Sequence, residues 1–88
     1  MEFQGPAATG YTVYTKDNCK YCDMVKELLE EEEPVLINTE SYLETRKEEF
    51  LAFIATLAQR TYRTFPMVFY NGTFVGGFTD TLHLMKKQ

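Results

Sequence analysis

Two cysteines lie three positions apart in the stretch Cys19-Lys20-Tyr21-Cys22, and the chain has no others. At this spacing on a helix start the two sulfurs can reach each other, so that one can attack a disulfide and the other can resolve the product. Cys19 comes first and is expected beside the unpaired amides of the helix N-terminus, which lower the pKa of a thiol to about 3.5–7.5. Lys20 adds a neighbouring positive charge. We therefore predict Cys19 as the nucleophile and Cys22, one turn further, as the protected resolving thiol.

A zinc site is one alternative for such a pair, but it requires two further Cys or His ligands. His83 is the only histidine in the chain, so we expect no bound metal. Two buried cysteines without chemistry are another alternative. A pair at a strand–helix junction in a reducing compartment favours redox chemistry over both.

The segments around the pair predict the elements that position it. Residues 11–15 alternate as in a strand, and apolar residues from Cys22 to Leu29 recur at helical spacing. Pro34 stops that helix after an acidic run. Residues 35–37 form a continuous branched apolar run, which is typical of a strand covered on both faces.

The second half of the chain predicts a long helix, a hairpin and a last helix. Ser41 to Glu44 indicate a capping box at the start of a helix that ends near Arg60. Asn71-Gly72 separates two strand-like runs and predicts a hairpin, and Thr79 is a candidate N-cap of the last helix. The order β-α-β-α-β-β-α predicts an α/β fold with a four-stranded mixed sheet flanked by helices, in one domain over residues 11–88.

Composition restricts the class of function. The chain has 88 residues, 44% of them apolar, and 9 basic against 13 acidic residues give a net charge of -4. This balance argues against general nucleic-acid binding, which needs a basic face. The longest apolar run, Phe50 to Ala55, has six residues, whereas about 20 span a bilayer. We expect partners that are neither nucleic acid nor membrane.

The N-terminal stretch lacks the charged start and apolar core of a signal peptide. Its Phe3-Gln4-Gly5-Pro6 resembles what a cleavable expression tag leaves behind. We therefore expect residues 1–10 to be a tag remnant or a disordered N-terminus, and the protein to be cytoplasmic.

Four motifs follow one another along residues 11–85. They are Tyr14-Thr15-Lys16 with Cys19-Lys20-Tyr21-Cys22; Thr64-Phe65-Pro66; Val68-Phe69-Tyr70-Asn71-Gly72; and Val75-Gly76-Gly77-Phe78-Thr79-Asp80. Together they resemble the glutaredoxins, the glutathione-linked branch of the thioredoxin fold, whose corresponding motifs are a strand end and lysine with C-P-Y-C, then T-V-P, V-F-I-N-G and I-G-G-x-D/S-D. Each motif alone is weak, and the four in this order are specific.

The resemblance implies a glutathione-dependent oxidoreductase that reduces protein disulfides and glutathione mixed disulfides, with glutathione as co-substrate. It also implies a cis bond before Pro66 and a groove in which glutathione lies as an added strand along Phe65. Tyr21 is a candidate to stack over the disulfide or over glutathione, and an equal alternative is that it is a partly exposed residue of a loop wall. Lys20 stands where the family usually has proline.

The ends of the tripeptide are assigned by the same resemblance. The γ-glutamyl carboxylate is expected at the amides of Phe78 and Thr79, at the start of the last helix. Asp80 is expected to receive the α-ammonium, although it could instead serve only the helix start. The glycyl carboxylate is expected at Lys16 and Arg63.

The implied partners are glutathione and disulfide-containing or glutathionylated proteins, acted on by a monomer. Some phage- and virus-encoded glutaredoxin-like thioredoxins share a non-proline first residue and a Gly-Gly-Phe stretch, which adds ribonucleotide reductase as a candidate. Two alternatives stay open. One is a protein reductant regenerated by thioredoxin reductase, and the other is an iron–sulfur carrier in which two chains share a [2Fe–2S] cluster through Cys19 and two glutathiones.

Overall fold

The computed structural model describes residues 3–87. Met1 and Glu2 of the predicted tag remnant, and Gln88 at the end of the predicted domain, lie outside the described residues. The strands are β1 Tyr11–Thr15, β2 Val35–Asn38, β3 Met67–Tyr70 and β4 Thr73–Gly76. The helices are α1 Lys20–Leu28, a short 3₁₀ helix Glu30–Glu32, α2 Glu40–Thr45, α3 Lys47–Ala58 and α4 Phe78–Lys86.

The four strands form one mixed sheet in the order β2-β1-β3-β4. β1 pairs parallel with β2 and antiparallel with β3, which pairs antiparallel with β4 across Asn71-Gly72. Both turn residues have positive φ, 52° and 80°, as the hairpin prediction requires. The predicted mixed sheet and hairpin are confirmed.

The period-two alternation of the central strands divides the core into two layers. Tyr14 of β1 packs with Phe50 and Ile54 of α3 on one face of the sheet. Val13, the preceding residue, packs with Val25 and Leu29 beside α1 and α4 on the other. Helices therefore cover both faces, and β1 lies in the middle of the molecule.

The end of β1 is fixed before the chain turns towards the cysteines. The carbonyl of Thr15 accepts bonds from both the amide and the hydroxyl of Thr39, at 2.8 and 2.9 Å. Both residues are buried. These two hydrogen bonds fix the end of β1, from which the loop before Cys19 begins.

Residues 35–37 form a strand as predicted, but the prediction that it is covered on both faces is wrong. β2 is an edge strand, and Val35 and Leu36 are 40% and 49% exposed, whereas Ile37 is buried. A run of apolar residues carries no information about which strand ends the sheet.

The predicted long helix is two helices, α2 and α3, joined at Arg46, whose φ of −141° is not helical. The capping box at Ser41 to Glu44 is also wrong. Thr39 is the N-cap of α2, because its bonds to Thr15 fix the chain there and the helix begins before Ser41.

Residues 3–10, which we call the N-terminal strap, pack against the domain, contrary to the expectation of a disordered N-terminus. The centre of the Phe3 ring lies 5.5 Å from that of the Phe50 ring. The Arg46 guanidinium lies over the Phe3 ring, 4.6 Å from its centre. The carbonyl of Gln4 accepts a 2.7 Å bond from the Tyr14 hydroxyl. The origin of the strap as a tag remnant stays a prediction.

None of the helices found between residues 3 and 87 is long and apolar enough to cross a bilayer.

Candidate active site

The cysteine pair lies at the N-terminus of α1. Cys19 is the N-cap, with φ −124° and ψ 103°, and its Sγ accepts a 3.2 Å bond from the amide of Cys22. The two residues are joined by a disulfide, with their Cα atoms 5.2 Å apart. Cys22 is fully buried and Cys19 is half-buried. The accessible sulfur is therefore the one at the helix start, as the sequence predicts.

The segment before β3 forms a shelf, and its Phe65–Pro66 bond is cis, as the resemblance predicts. Pro66 is buried and Phe65 is half-buried. Nζ of Lys16, just after β1, lies 5.6 Å from the centre of the Phe65 ring. Two cavities meet at Thr64 and Phe65, and both bear on the site.

The first cavity, which we call the groove, has a volume of about 380 Å³. Tyr21, from the middle of the CxxC motif, forms one wall and is 55% exposed, with its ring 6.2 Å from that of Phe78. The groove therefore reaches the CxxC motif at Tyr21. Its lining residues are Tyr21, Tyr62, Thr64, Phe65, Pro66, Gly77, Phe78, Thr79 and Asp80.

The groove ends at the first turn of α4. Gly77 is the N-cap, and its amide donates a 3.1 Å bond to Oδ2 of Asp80. The prediction of Thr79 as N-cap is wrong, because the carboxylate three residues further satisfies the amide of Gly77. The amides of Phe78 and Thr79 belong to the first turn, which has no intrahelical acceptors for them.

Gly76 allows this arrangement. Its φ of +133° suits glycine alone, and a side-chain carbon there would collide with the Asp80 carboxylate. The Gly-Gly pair thus lets the chain leave β4 and begin α4 at the groove.

The second cavity, which we call the basic cavity, has a volume of about 410 Å³. Arg63 at its rim makes a two-pronged ion pair with Glu48, with N–O distances of 3.0 and 3.1 Å. The pair raises the pKa of Arg63 and lowers the pKa of Glu48, chiefly through these hydrogen bonds. The lining residues are Lys16, Leu43, Lys47, Leu51, Arg63, Thr64 and Phe65.

Residues 11–75 match the family model described as Glutaredoxin, which is more than half of the chain. The chain belongs to the glutaredoxin family.

Curated relatives agree with this family assignment. Glutaredoxin-2, mitochondrial, of Bos taurus is 36% identical over 76 residues, and that of Homo sapiens is 33% identical over 75. Each match covers 85% of this chain and 46% or 44% of the relative. The chain thus spans less than half the length of these relatives.

Solved glutaredoxin structures share the fold. Wheat glutaredoxin is 30% identical with a TM-score of 0.73, the match covering 91% of this chain and 74% of the other. A buckwheat glutaredoxin–glutathione complex is 24% identical with a TM-score of 0.72, the match covering 89% and 69%. The thioredoxin-like, glutaredoxin fold is confirmed.

In this glutaredoxin, the two cavities bring together every binding residue predicted from the sequence. Five of them line the groove only, two line the basic cavity only, and Phe65 lines both. These eight residues, in chain order, are Lys16, Tyr21, Arg63, Phe65, Pro66, Phe78, Thr79 and Asp80. Their binding of glutathione stays a prediction.

Sequence reasoning missed Tyr62 and Lys47. The Tyr62 ring lies edge-on to Phe74 at 4.8 Å, and its hydroxyl lies 3.0 Å from where a side-chain carbon of Gly77 would be. Lys47 reaches the basic cavity only because α3 begins there. Neither residue belongs to a local motif, so the sequence offered no signal for them.

Among residues 3–87, no group of three or more His, Cys, Asp or Glu side chains is arranged to hold a metal ion. The expectation that no metal binds stays a prediction.

Proposed function

We propose that this glutaredoxin-family protein is a glutathione-dependent thiol–disulfide oxidoreductase. One observation carries the proposal: the accessible cysteine of a bonded pair caps α1, and the adjoining groove leads from Tyr21 to the first turn of α4. This arrangement joins a reactive sulfur to a site for a short anionic peptide.

The reaction begins at Cys19. Its thiolate, favoured by the amide of Cys22 and the helix dipole, attacks one sulfur of a disulfide. A Cys19–substrate disulfide forms, the original disulfide breaks, and the leaving thiolate takes a proton from water. When the substrate is a glutathione mixed disulfide, the attack falls on the glutathione sulfur.

The intermediate is resolved in one of two ways. The Cys22 thiolate attacks Cys19 Sγ, which releases the bound thiol and leaves the Cys19–Cys22 disulfide. Alternatively, a glutathione thiolate attacks the sulfur of glutathione already held on Cys19. In the first route two glutathione thiols then reduce the protein disulfide and leave as glutathione disulfide, so that two electrons are transferred in each cycle.

The two cavities supply the contacts that glutathione needs. Phe65 on the shelf offers its backbone to an added strand. Phe78 and Thr79 offer amides to the γ-glutamyl carboxylate. Asp80 can keep its bond to Gly77 through Oδ2 and receive the α-ammonium with Oδ1. Buckwheat glutaredoxin, which shares this fold, was solved as a complex with glutathione.

Lys16 and Arg63, which line the basic cavity, are the proposed partners of the glycyl carboxylate. The positive charges of these two side chains suit the anionic glycyl end of glutathione. The proposed protein partners are disulfide-containing or glutathionylated proteins, with ribonucleotide reductase as a candidate, and we propose a cytoplasmic monomer.

A coupled assay tests the proposal. The protein is given a glutathionylated peptide and NADPH, together with either glutathione and glutathione reductase, or thioredoxin reductase without glutathione. We expect turnover with the first system. Turnover with thioredoxin reductase alone would contradict glutathione dependence.

Two variants test the roles of the cysteines in the same assay. Cys19→Ser should abolish activity, because the attacking sulfur is lost. Cys22→Ser should retain deglutathionylation, because glutathione can resolve the intermediate. Exchanged phenotypes would refute the assignment of the two thiols.

A further inference from the structure

Two adjacent carboxylates in the first turn of α3 each hold an arginine. Glu48 binds Arg63 at 3.0 and 3.1 Å, and Glu49 binds Arg46 at 3.1 and 3.2 Å. Both carboxylates are exposed. The arginines differ in position, because Arg63 lines the basic cavity whereas Arg46 lies over Phe3.

Glu48 binds Arg63 as a ligand carboxylate would. Its two oxygens accept from Nη1 and Nη2 of the guanidinium, which is the two-pronged geometry that arginine offers to carboxylates. A ligand carboxylate cannot use this edge of Arg63 until Glu48 leaves it.

Lys47 adds an available cation beside this pair. It lines the basic cavity with Lys16 and Arg63, and it makes no ion pair with another residue in the part of the chain that the structure describes. The floor of the cavity includes Leu43 and Leu51. The cavity thus presents three cations, of which one is already neutralised by a carboxylate of the chain itself.

We propose that Glu48 competes with the glycyl carboxylate of glutathione for Arg63, and that Lys47 is a further positioning residue for that carboxylate. This inference rests on the proposed function and deepens it. Binding exchanges the Glu48–Arg63 ion pair for a ligand–Arg63 ion pair, while Lys47 and Lys16 attract the same carboxylate. Glu48 therefore weakens glutathione binding in this protein.

The size of the effect follows from the exposure of the pair. Exposed ion pairs change an equilibrium by at most about fivefold. We expect Glu48→Gln to lower KM for a glutathionylated peptide by about twofold to fivefold with kcat unchanged. Lys47→Met should raise KM by a similar factor.

Glu49→Gln is the matched control. It removes the same charge from the next position of the same helix and breaks an equivalent arginine pair away from the cavity. We expect it to leave KM within about 1.5-fold of the unmodified protein, because neither Glu49 nor Arg46 lines the basic cavity and salt weakens the interaction of exposed charges with a ligand that they do not contact.

Two further measurements separate competition at Arg63 from a general charge effect. In an Arg63→Met background, the decrease in KM caused by Glu48→Gln should become as small as the change in KM caused by Glu49→Gln. With a substrate whose glycyl carboxylate is amidated, Glu48→Gln should have no effect on KM.

Equal KM values for Glu48→Gln and Glu49→Gln, or an undiminished gain with the amidated substrate, would overturn the inference about Glu48. An unchanged KM for Lys47→Met would overturn the role of Lys47. These outcomes leave the proposed function standing, whereas no turnover of the unmodified protein with glutathione would remove the proposed function itself.

Discussion

Cys19 accepts a bond from the Cys22 amide, and Lys20 follows it directly in the chain. The exposed ammonium of Lys20 therefore adds to the stabilisation of the Cys19 thiolate by the backbone amide. We expect Lys20→Glu to raise the pKa of Cys19, because a charge about 4 Å away in water is worth roughly 1 kcal/mol. Because the substitution reverses the charge, the change is about 2 kcal/mol, and the thiolate fraction at pH 6 should fall by up to about thirtyfold. The rate of alkylation by iodoacetamide across pH measures it on the reduced protein.

Lys26→Glu is the control for this change, since Lys26 lies in the last turn of α1 and pairs with Asp23 at 4.0 Å. It should leave the titration of Cys19 unchanged. An equal response in both variants would mean that net charge, rather than the neighbouring ammonium, sets the reactivity of Cys19.

Tyr14 is a second residue with a predictable titration. Burial, followed by the nearby Tyr42, raises the pKa of Tyr14 well above its ordinary value. The unfolded chain therefore loses this proton first, near pH 10, so the stability associated with Tyr14 is present below pH 10 and falls as the pH rises further. We expect the free energy of unfolding to fall by up to about 1.4 kcal/mol per pH unit there.

Urea unfolding of Tyr14→Phe between pH 9 and 11 tests this expectation. The free energy of unfolding of that variant should fall less steeply with pH than that of the unmodified protein. Tyr21→Phe, which changes an exposed ring, should decline like the unmodified protein. Parallel declines in all three proteins would show that other groups are responsible.

The N-terminus of α4 combines capping with the proposed binding, and Asp80 belongs to both. Asp80→Asn keeps an oxygen for the amide of Gly77 and loses the charge. We expect it to cost less than about 1 kcal/mol of stability and to raise KM for a glutathionylated substrate. Asp80→Ala should raise KM as well and cost about 1–2 kcal/mol. Thermal unfolding and steady-state kinetics on the same preparations separate the two effects.

If Asp80→Asn has an unchanged KM, the carboxylate serves only the helix start. Thr56→Ala is the control, because the exposed Thr56 hydroxyl donates its hydrogen bond to a carbonyl of its own helix, α3. It should leave KM unchanged.

Features set by neighbouring residues were predictable from the sequence. Cys19 at the N-cap and the Asn71-Gly72 turn depend on residues within one turn of the chain, and both are as predicted. The cis Pro66 came from the family resemblance instead.

Features set by distant residues were not predictable. The start of α2 depends on Thr39 reaching Thr15, 24 residues earlier. The state of Arg63 depends on Glu48, 15 residues earlier. A sequence motif contains one partner of each such pair and gives no sign of the other.

We expect the N-terminal strap to contribute to the stability of the whole molecule. Phe3 lies within 5.5 Å of the rings of Tyr42, Phe50 and Phe53. We expect Phe3→Ala to destabilise the protein by about 1–3 kcal/mol, below the usual cost for a fully buried phenylalanine because Phe3 is half-buried. The melting temperature should fall by about 4–8 °C for each kcal/mol, with little change in reductase activity.

Thr9→Ala, an exposed change in the same strap, should leave the melting temperature unchanged. An unchanged melting temperature for Phe3→Ala would mean that the strap docks without stabilising the domain.

The uncovered edge strand β2 has a consequence for handling the protein. Val35 and Leu36 stand bare at the margin of the sheet, directly after the exposed glutamates 30–33. A bare edge is a template on which a second molecule can add a strand, and nearby like charges keep molecules apart. High salt screens those charges, so concentrated solutions should become turbid by edge-to-edge aggregation at high ionic strength, and Leu36→Lys should suppress it.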